Sequence, residues 1–483
     1  MLASKTLATR VAQPASAFGV RSLSSAVTDE IKMLEKLLQE AKGRAAGEAA
    51  EASKAEAAEA ATAGPKFNIG TFNAISSAGL NTFPGRKYDI VPMAEKSDEE
   101  IHAVLLRSHK LSSDQVPESV RAVARCGSGT NNIDVAAMTE RGIPVFNTPG
   151  ANANAVKELS ICGLLLASRG IVEGISHTHT IVKEDGADFA KCKKRVESDK
   201  KMFVGRELTG KTLGVVGLGH IGASVAQTAI ALGMKVTGYD PAISLESAWR
   251  LPGDVLKRAS SLEQLAAESD YISLHVPYIK DATHHLISAD ILKQMKPNAA
   301  IINFARGELV DSAAMRDLLE SGARTGRYVT DFVDESLFGH PKVITMPHLG
   351  ASTAEAEENA ASMAALEIID FIETGTIQNS VNFPTAKLDS LPAEHRRICI
   401  VNRNVPGMLG LITSTLGRAN INIMQQINVS RDNIAYNVVD IADSHTPEDL
   451  AKLQDEISKL DGVISSRIVS GKDGKPGLFN VSA

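Results

Sequence analysis

Thr212-Leu-Gly-Val-Val-Gly217-Leu-Gly219-His220-Ile221-Gly222 sets a short apolar run directly before GxGxxG, and a helical pattern continues from Ser224 to Leu232. Strand, glycine turn and helix in that order describe the phosphate-binding end of a dinucleotide fold. The first glycine permits the tight turn, the second lets backbone approach a pyrophosphate, and the third allows helix and strand to pack closely. The helix N-terminus turns free N–H groups and the positive end of its dipole toward the phosphates. Asp240 ends the next apolar run, Val236-Thr-Gly-Tyr-Asp240, at the distance expected of a carboxylate that accepts both ribose hydroxyls. Such a carboxylate repels a 2′-phosphate, so NAD is the expected cofactor rather than NADP. The competing reading of Asp240 is a turn residue before Pro241.

The same rhythm extends to both sides. Phe67-Asn-Ile-Gly-Thr-Phe-Asn73 alternates like a strand, and Ala103-Val-Leu-Leu, Ala122-Val-Ala, Lys235-Val-Thr-Gly-Tyr, Tyr271-Ile-Ser-Leu-His, Ala300-Ile-Ile-Asn-Phe and Lys342-Val-Ile-Thr are short apolar runs separated by helical patterns. This spacing predicts α/β architecture, with two doubly wound parallel-sheet (Rossmann-like) domains between Lys66 and about Asn379. Past the proline-bearing stretch from Phe383 to Pro392 the pattern changes. Arg397-Ile-Cys-Ile-Val, a helix from Met408 to Ala419, strands over Ile421 to Val429 and Asn433 to Ile441, a helix over Pro447 to Leu460 and a strand over Val463 to Val469 give the ferredoxin-like order βαββαβ. A module this small, behind a linker, is expected to regulate or assemble. The expected division is a substrate-binding lobe over 66–130 and 351–392, an NAD-binding lobe over 131–350 and the C-terminal module over 395–470.

With 483 residues, 43% of them hydrophobic, and a formal net charge of −6, the chain can fill several cores and carries no cationic excess for nucleic acid. The longest apolar run, Leu159 to Ala167, falls short of the roughly 20 residues that span a bilayer, so no membrane partner is expected. Cys126, Cys162, Cys192 and Cys399 lie far apart, with neither the density of a disulfide scaffold nor the CxxC spacing of a zinc site, and no metal is expected. Cys126, in a loop of small residues, reads as an unreactive thiol. From Met1 to Thr28 there is no acidic residue, while Lys5, Arg10 and Arg21 are spaced through Ala, Ser, Thr and Leu. That composition suits an organelle transit peptide, mitochondrial in the first reading and plastid in the second. Residues 29–65, rich in Ala, Glu and Lys, read as a low-complexity linker.

Oxidation at a hydroxyl carbon needs a base for the O–H proton and a fixed cation for the substrate carboxylate and developing carbonyl. Asn303-Phe-Ala-Arg306-Gly follows an apolar run, so Arg306 should project from the carboxyl edge of a sheet, where ligands of open α/β folds bind. Thr345-Met-Pro-His348 places His348 likewise, and Thr330-Asp331-Phe-Val-Asp334-Glu335 offers acids beyond a third run.

These stretches, together with Arg125-Cys-Gly-Ser-Gly-Thr-Asn-Asn-Ile-Asp134, His275-Val-Pro277 and Pro347-His-Leu-Gly-Ala-Ser-Thr353, run in the order of the D-isomer-specific 2-hydroxyacid dehydrogenases. The chain resembles that family over nearly all of Lys66 to Asn379. The resemblance implies that Arg306 holds the carboxylate and carbonyl oxygen, His348 takes the hydroxyl proton, and Glu335 pairs with His348. Here the acidic loop lacks the proline that ends it in many relatives and is one residue shorter, which leaves Asp334 as the alternative to Glu335. Cofactor contacts are implied from Gly217, Gly219, His220, Ile221, Gly222, Asp240, His275, Val276, Pro277, Thr283, Ala305, Asp331 and Gly350, with Asp331 on the nicotinamide amide. Arg107, Ser108 and Lys110 resemble a loop that faces the active site, and an arginine fork there can grip a phosphate; for Lys110 a solvated basic loop stays equally open. Gly127, Ser128 and Gly129 resemble the segment whose backbone N–H groups bind the substrate carboxylate, with Asn131 beside them.

The C-terminal module resembles an ACT domain through Asn404-Val-Pro-Gly407 and Asn420-Ile-Asn422-Ile. That implies L-serine as an effector held by Asn404 and Asn422 between paired modules, although Asn402 stands where some relatives carry histidine; assembly without a ligand is the other reading. Taken together the resemblances imply NAD-linked oxidation of 3-phospho-D-glycerate to 3-phosphohydroxypyruvate, the entry step of phosphorylated serine synthesis. The alternatives are another D-2-hydroxy acid, such as glycerate or lactate, and a non-catalytic NAD-sensing corepressor. Asn131 to Arg169 resembles a helical arm that crosses onto a partner subunit, which implies a homodimer, and pairing of the terminal modules would give a homotetramer.

Overall fold

Five short apolar runs make the first parallel sheet: β1 (Phe67–Phe72), β2 (Tyr88–Pro92), β3 (Ala103–Leu106), β4 (Ala122–Arg125) and β5 (Val145–Asn147), in the order β2-β1-β3-β4-β5. The computed structural model describes residues 66–93, 100–243, 256–389, 391–392, 394–442, 444–470 and 479–481. The expected organelle address over 1–28 and the linker over 29–65 lie outside these described residues. All four residues of β3 are buried, as a strand covered on both faces requires. The three-residue β5 is too short to stand out in sequence, yet it pairs with β4 and is held by the returning chain, with Val381 N–H donating to the Val145 carbonyl at 2.9 Å. The first lobe therefore runs past Asn147, a correction to the boundary expected at 131; burial of Met138, Val145 and Phe146 ties that segment to this lobe.

The second sheet contains β6 (Thr212–Val216), β7 (Lys235–Tyr239), β8 (Leu256–Arg258), β9 (Tyr271–Leu274), β10 (Ala300–Asn303), β11 (Tyr328–Thr330) and β12 (Val343–Thr345), in the order β12-β11-β10-β9-β6-β7-β8. The chain winds one way through β7 and β8 and the other through β9 to β12. The reversal opens a crevice at the carboxyl end of β6, where the glycine turn begins.

Helix Ala153–Ser168 sends Val156, Leu164 and Ala167 into the core of this second lobe. Helices Ile171–Asp185 and Phe189–Asp199 and the turn Lys200–Phe203 follow, and Ile175, Val182, Phe189, Met202 and Val204 along them are exposed. Exposed apolar residues are thus dense over 171–204, whereas most apolar residues of the arm expected over 131–169 enter the two cores.

The C-terminal module has β13 (His395–Arg403), β14 (Ile423–Arg431), β15 (Ile434–Ala442), β16 (Val463–Ser470) and β17 (Phe479–Val481) in the antiparallel order β14-β15-β13-β16-β17, with helices Met408–Arg418 and Pro447–Ser458. Strand alternation splits β13 between two cores. Ile398 and Ile400 pack under the module's own helices, while Cys399 and Val401 join Tyr436 and Val438 against Phe371 and Ile372 of the first lobe. Arg397 forms a two-point pair with Asp440, at 2.7 and 2.9 Å, and also donates to the Thr374 carbonyl at 2.8 Å. Arg467 donates to the carbonyls of Ile372 and Phe371 and lies 4.1 Å over the Phe371 ring. The module therefore caps the last carbonyls of helix Ala354–Thr374 and shares the lobe's core, in place of the tethered arrangement its linker suggested.

Candidate active site

Gly217 adopts φ +87, and a β-carbon there would fall 2.6 Å from the His275 carbonyl; at Gly222 it would fall 1.9 Å from the Gly217 carbonyl. Those two positions exclude any side chain. At Gly219 nothing lies within 4 Å of the same point, so the middle glycine leaves open space over the start of helix His220–Ala231. Asp240 stands at the end of β7, its Oδ2 accepting the Leu218 N–H at 2.8 Å and its Oδ1 the Ala242 N–H at 3.0 Å. The cradle, the helix start and the carboxylate beside it fit a dinucleotide. Thr283 holds the neighbouring loop, donating from Oγ1 to the Pro277 carbonyl and accepting the Ile279 N–H, each at 2.7 Å. His275 accepts or donates at Nε2 with Ser273 Oγ at 2.8 Å, and burial pulls its pKa down to about 4.

Between the lobes lies a cavity of about 440 Å³ whose wall includes Arg107, Arg125, Gly127, Ser128, Gly129, Asn131, Arg306, His348 and Glu357. Arg306 extends from the end of β10, its turn fixed by buried Asn303, which donates to the Arg306 carbonyl at 2.7 Å and accepts the Ala305 N–H at 3.2 Å. An added β-carbon on Gly129 would meet Arg306 Nη2 at 3.6 Å and Asn131 Oδ1 at 3.7 Å, which shows how closely the three converge. The Gly127–Gly129 loop is pinned from behind: Asn147 Nδ2 donates to the Ser128 carbonyl at 2.5 Å, and Thr148 N–H to the Gly127 carbonyl at 3.2 Å. His348 occupies the left-handed region at φ +57, its ring edge-on to Phe332 with centroids 5.1 Å apart. A strained residue of this kind persists only where its surroundings hold it.

Residues 175–350 match the family model for the NAD-binding domain of D-isomer-specific 2-hydroxyacid dehydrogenases. The chain is 30% identical over 429 residues to a D-3-phosphoglycerate dehydrogenase of Haemophilus influenzae, covering 84% of this chain and 97% of that protein. A D-3-phosphoglycerate dehydrogenase of Escherichia coli K12 is 32% identical over 391 residues, covering 78% of this chain and 88% of that one. Among solved structures, the NAD+-bound 3-phosphoglycerate dehydrogenase of Entamoeba histolytica superposes with a TM-score of 0.50 at 26% identity, over 66% of this chain and 99% of that one. The chain belongs to the D-isomer-specific 2-hydroxyacid dehydrogenase family. It is an NAD-dependent oxidoreductase.

Not every expected site residue of this dehydrogenase reaches the cleft. Glu335 is exposed and makes no ion pair or hydrogen bond with His348, which faces Phe332 instead. Asp334 accepts the Ser336 N–H at 2.8 Å and lines a separate cavity with His285 and Asp311. The short loop closes its own turn through Asp334 and leaves Glu335 turned to solvent. Ser108 and Lys110 are exposed and absent from the cavity wall, since the His109 between them is held by Asn73 Oδ1 at 2.7 Å and stacks on Phe72. Asp331 is turned inward, both oxygens accepting backbone N–H groups of Leu349 and Gly350, so its place is behind the His348 loop. Asn404 and Asn422 are exposed at the ends of β13 and β14, Asn404 donating to the Asp432 carbonyl at 3.1 Å, whereas Asn402 is buried.

Other residues of the cleft escaped the sequence reading. Arg125 ends β4, donates from Nε to the Arg107 carbonyl at 3.1 Å and presses its guanidinium against Gly127. Burial, with like charge from Arg107 and Arg306, lowers its pKa. The signal was available, because Arg125 sits at the carboxyl edge of a parallel strand just as Arg306 does. Glu357, from the first turn of helix Ala354–Thr374, and Thr148, whose buried hydroxyl has no partner among the described residues, gave none. Cys126 is buried, which pushes its thiol up to about 12 and makes it inert.

Proposed function

We propose that this dehydrogenase oxidises 3-phospho-D-glycerate to 3-phosphohydroxypyruvate, the entry step of phosphorylated serine synthesis. The observation that carries this reading is the convergence of three guanidiniums, Arg107, Arg125 and Arg306, with His348 on one 440 Å³ cleft beside the dinucleotide cradle. A substrate with a carboxylate at one end and a phosphoryl group at the other matches cations spread along such a wall, and planar forks suit both groups. Names of relatives from Haemophilus influenzae and Escherichia coli point the same way.

When bound, NAD supplies the two-electron acceptor. Gly217, Gly219 and Gly222, with the N–H groups of His220 and Ile221, would receive its pyrophosphate, and Asp240 its ribose. Arg306 and the backbone of Gly127–Gly129 hold the substrate carboxylate, and Arg306 stabilises charge growing on the carbonyl oxygen. His348 accepts the hydroxyl proton as the O–H bond breaks, so that the O–H electron pair forms the carbonyl as the hydride leaves the carbon. Arg107 and Arg125 hold the phosphoryl group. Glu335, carried on an exposed loop after β11 of the same lobe, would pair with His348 only after a local rearrangement of that loop.

The exposed apolar face over 171–204 supports a homodimer in which these helices cover a partner, and pairing of the C-terminal modules would give a tetramer. The ferredoxin-like module is read as an ACT domain that senses L-serine at Asn404 and Asn422, and residues 1–28 as a mitochondrial or plastid address. An NADH absorbance assay over 3-phospho-D-glycerate, D-glycerate and D-lactate, with NAD and with NADP, tests the central reading. Preference for the phosphorylated acid with NAD is expected; preference for an unphosphorylated acid sinks it, and inactivity on all three favours the corepressor. His348→Gln should lower turnover by a factor on the order of 10² to 10⁴ with NAD binding retained.

A further inference from the structure

Among the described residues that line the cationic cleft, one is acidic. Glu357 enters it from the first turn of helix Ala354–Thr374 and closes on Arg107, Oε1 to Nη2, at 2.6 Å. The position suits a carboxylate twice over. The helix N-terminus, capped by Thr353 Oγ1 on the Ala356 N–H at 3.1 Å, favours negative charge, and Arg125 and Arg306 share the same cavity. The backbone of Arg107 is fixed, its carbonyl accepting from Arg125 Nε at 3.1 Å and Asn132 Nδ2 at 3.2 Å, so the side-chain fork is the part free to change partner. Both members of the pair are 41% exposed, which makes it an ion pair that an incoming anion can break.

We propose that Glu357 is a specificity-determining counter-ion, which occupies the fork of Arg107 until the phosphoryl group of the substrate displaces it. The inference rests on the phosphoryl assignment of Arg107 made above. A phosphoryl group carries about −1.5 to −2 charge near neutral pH and presents three acceptor oxygens, against a single negative charge on Glu357. It therefore outbids the carboxylate for the guanidinium and for the helix N-terminus. A hydroxyl at the same position, as in D-glycerate, cannot, and leaves the pair closed. Glu357 thus sets a threshold: Arg107 contributes binding only to a ligand charged enough to open it, and the released phosphorylated product meets a returning competitor.

The test compares Glu357→Gln, which keeps shape and removes charge, with the parent enzyme. KM for 3-phospho-D-glycerate should fall about 2- to 5-fold, the range that an exposed ion pair supports. The ratio of the D-glycerate constant, read as KM or as a competitive inhibition constant, to that KM should rise. Inhibition by inorganic phosphate should tighten by a similar factor. An unchanged ratio, or a raised KM for the phosphorylated acid, overturns the proposal, the second result making Glu357 an orienting group for Arg107. Arg107→Met is run alongside. If it leaves the KM for 3-phospho-D-glycerate unaltered, the phosphoryl assignment itself fails; if it raises that KM while Glu357→Gln changes nothing, only the displacement idea is lost.

Discussion

Asp331 binds the backbone of Gly350: its Oδ2 accepts the Gly350 N–H at 2.7 Å while its Oδ1 takes the adjacent Leu349 N–H at 2.7 Å. The carboxylate is 2% exposed, and an added β-carbon on Gly350 would fall 3.2 Å from it. Two hydrogen bonds donated by backbone N–H groups to a buried carboxylate thus hold the loop on which His348 sits at φ +57. The loop that carries His348 is thus held from behind by the Asp331 carboxylate.

Asp331→Asn keeps the shape but gives up one acceptor, leaving an N–H pair opposed. Hydrogen bonds to charged groups are worth about 1.5–3 kcal/mol, so turnover should fall about 10- to 100-fold as His348 loses its setting. NAD affinity, measured by NADH fluorescence, should hold. A large loss of NAD affinity with turnover at saturation unchanged would return Asp331 to the nicotinamide amide.

Arg125→Met removes a guanidinium from the cleft wall without touching Arg306. The expected result is a KM for the phosphorylated acid raised about tenfold or more, with a smaller change in kcat, as loss of uniform binding produces. Steady-state kinetics that show kcat falling and KM constant would move Arg125 out of ground-state binding.

The glycines of the turn should separate folding from cofactor binding. Gly222→Ala drives a methyl into the Gly217 carbonyl and should destabilise the protein by about 1–3 kcal/mol in urea denaturation. Gly219→Ala meets no protein atom, so stability should be unaltered while NAD affinity drops. Equal effects on stability from both would contradict the open cradle.

Arg397→Met strands Asp440 in the contact between the C-terminal module and the first lobe, at a cost of about 3–5 kcal/mol. Adding Asp440→Leu should recover part of that loss. Urea unfolding that leaves the single variant as stable as the parent would show the module to be only loosely attached.

Burial raises the pKa of Glu367 to about 8, above the value near 4.3 of an unfolded chain, with the Asn379 amide opposing the shift by donating at 2.7 Å. The folded protein therefore binds more protons than the unfolded one between these values, and this group's contribution to stability, full below about pH 4, is lost as pH rises toward 8. Glu367→Gln should flatten that decline. Parallel stability profiles for variant and parent across pH 5 to 8 would show that Glu367 is ionised throughout.

What the chain announces before it folds is whatever depends on near neighbours. GxGxxG behind β6, Asp240 at the end of β7, the apolar runs of the parallel sheets and the βαββαβ order are local patterns of period and turn chemistry, and they suffice for fold, cofactor and the positions of Arg306 and His348 at strand ends. The three-residue strands β5 and β8 escape, because their length is set by their neighbours in the sheet. Arg107 and Glu357 lie 250 residues apart, as do few pairs that matter more here, and no spacing rule brings them together. Asp331 shows the same limit: its motif marks it as part of the site, yet which way a buried carboxylate turns depends on where unpaired N–H groups lie in the folded loop. Side-chain partners far apart along the chain are chosen by packing and desolvation, which exist only once the chain has closed on itself.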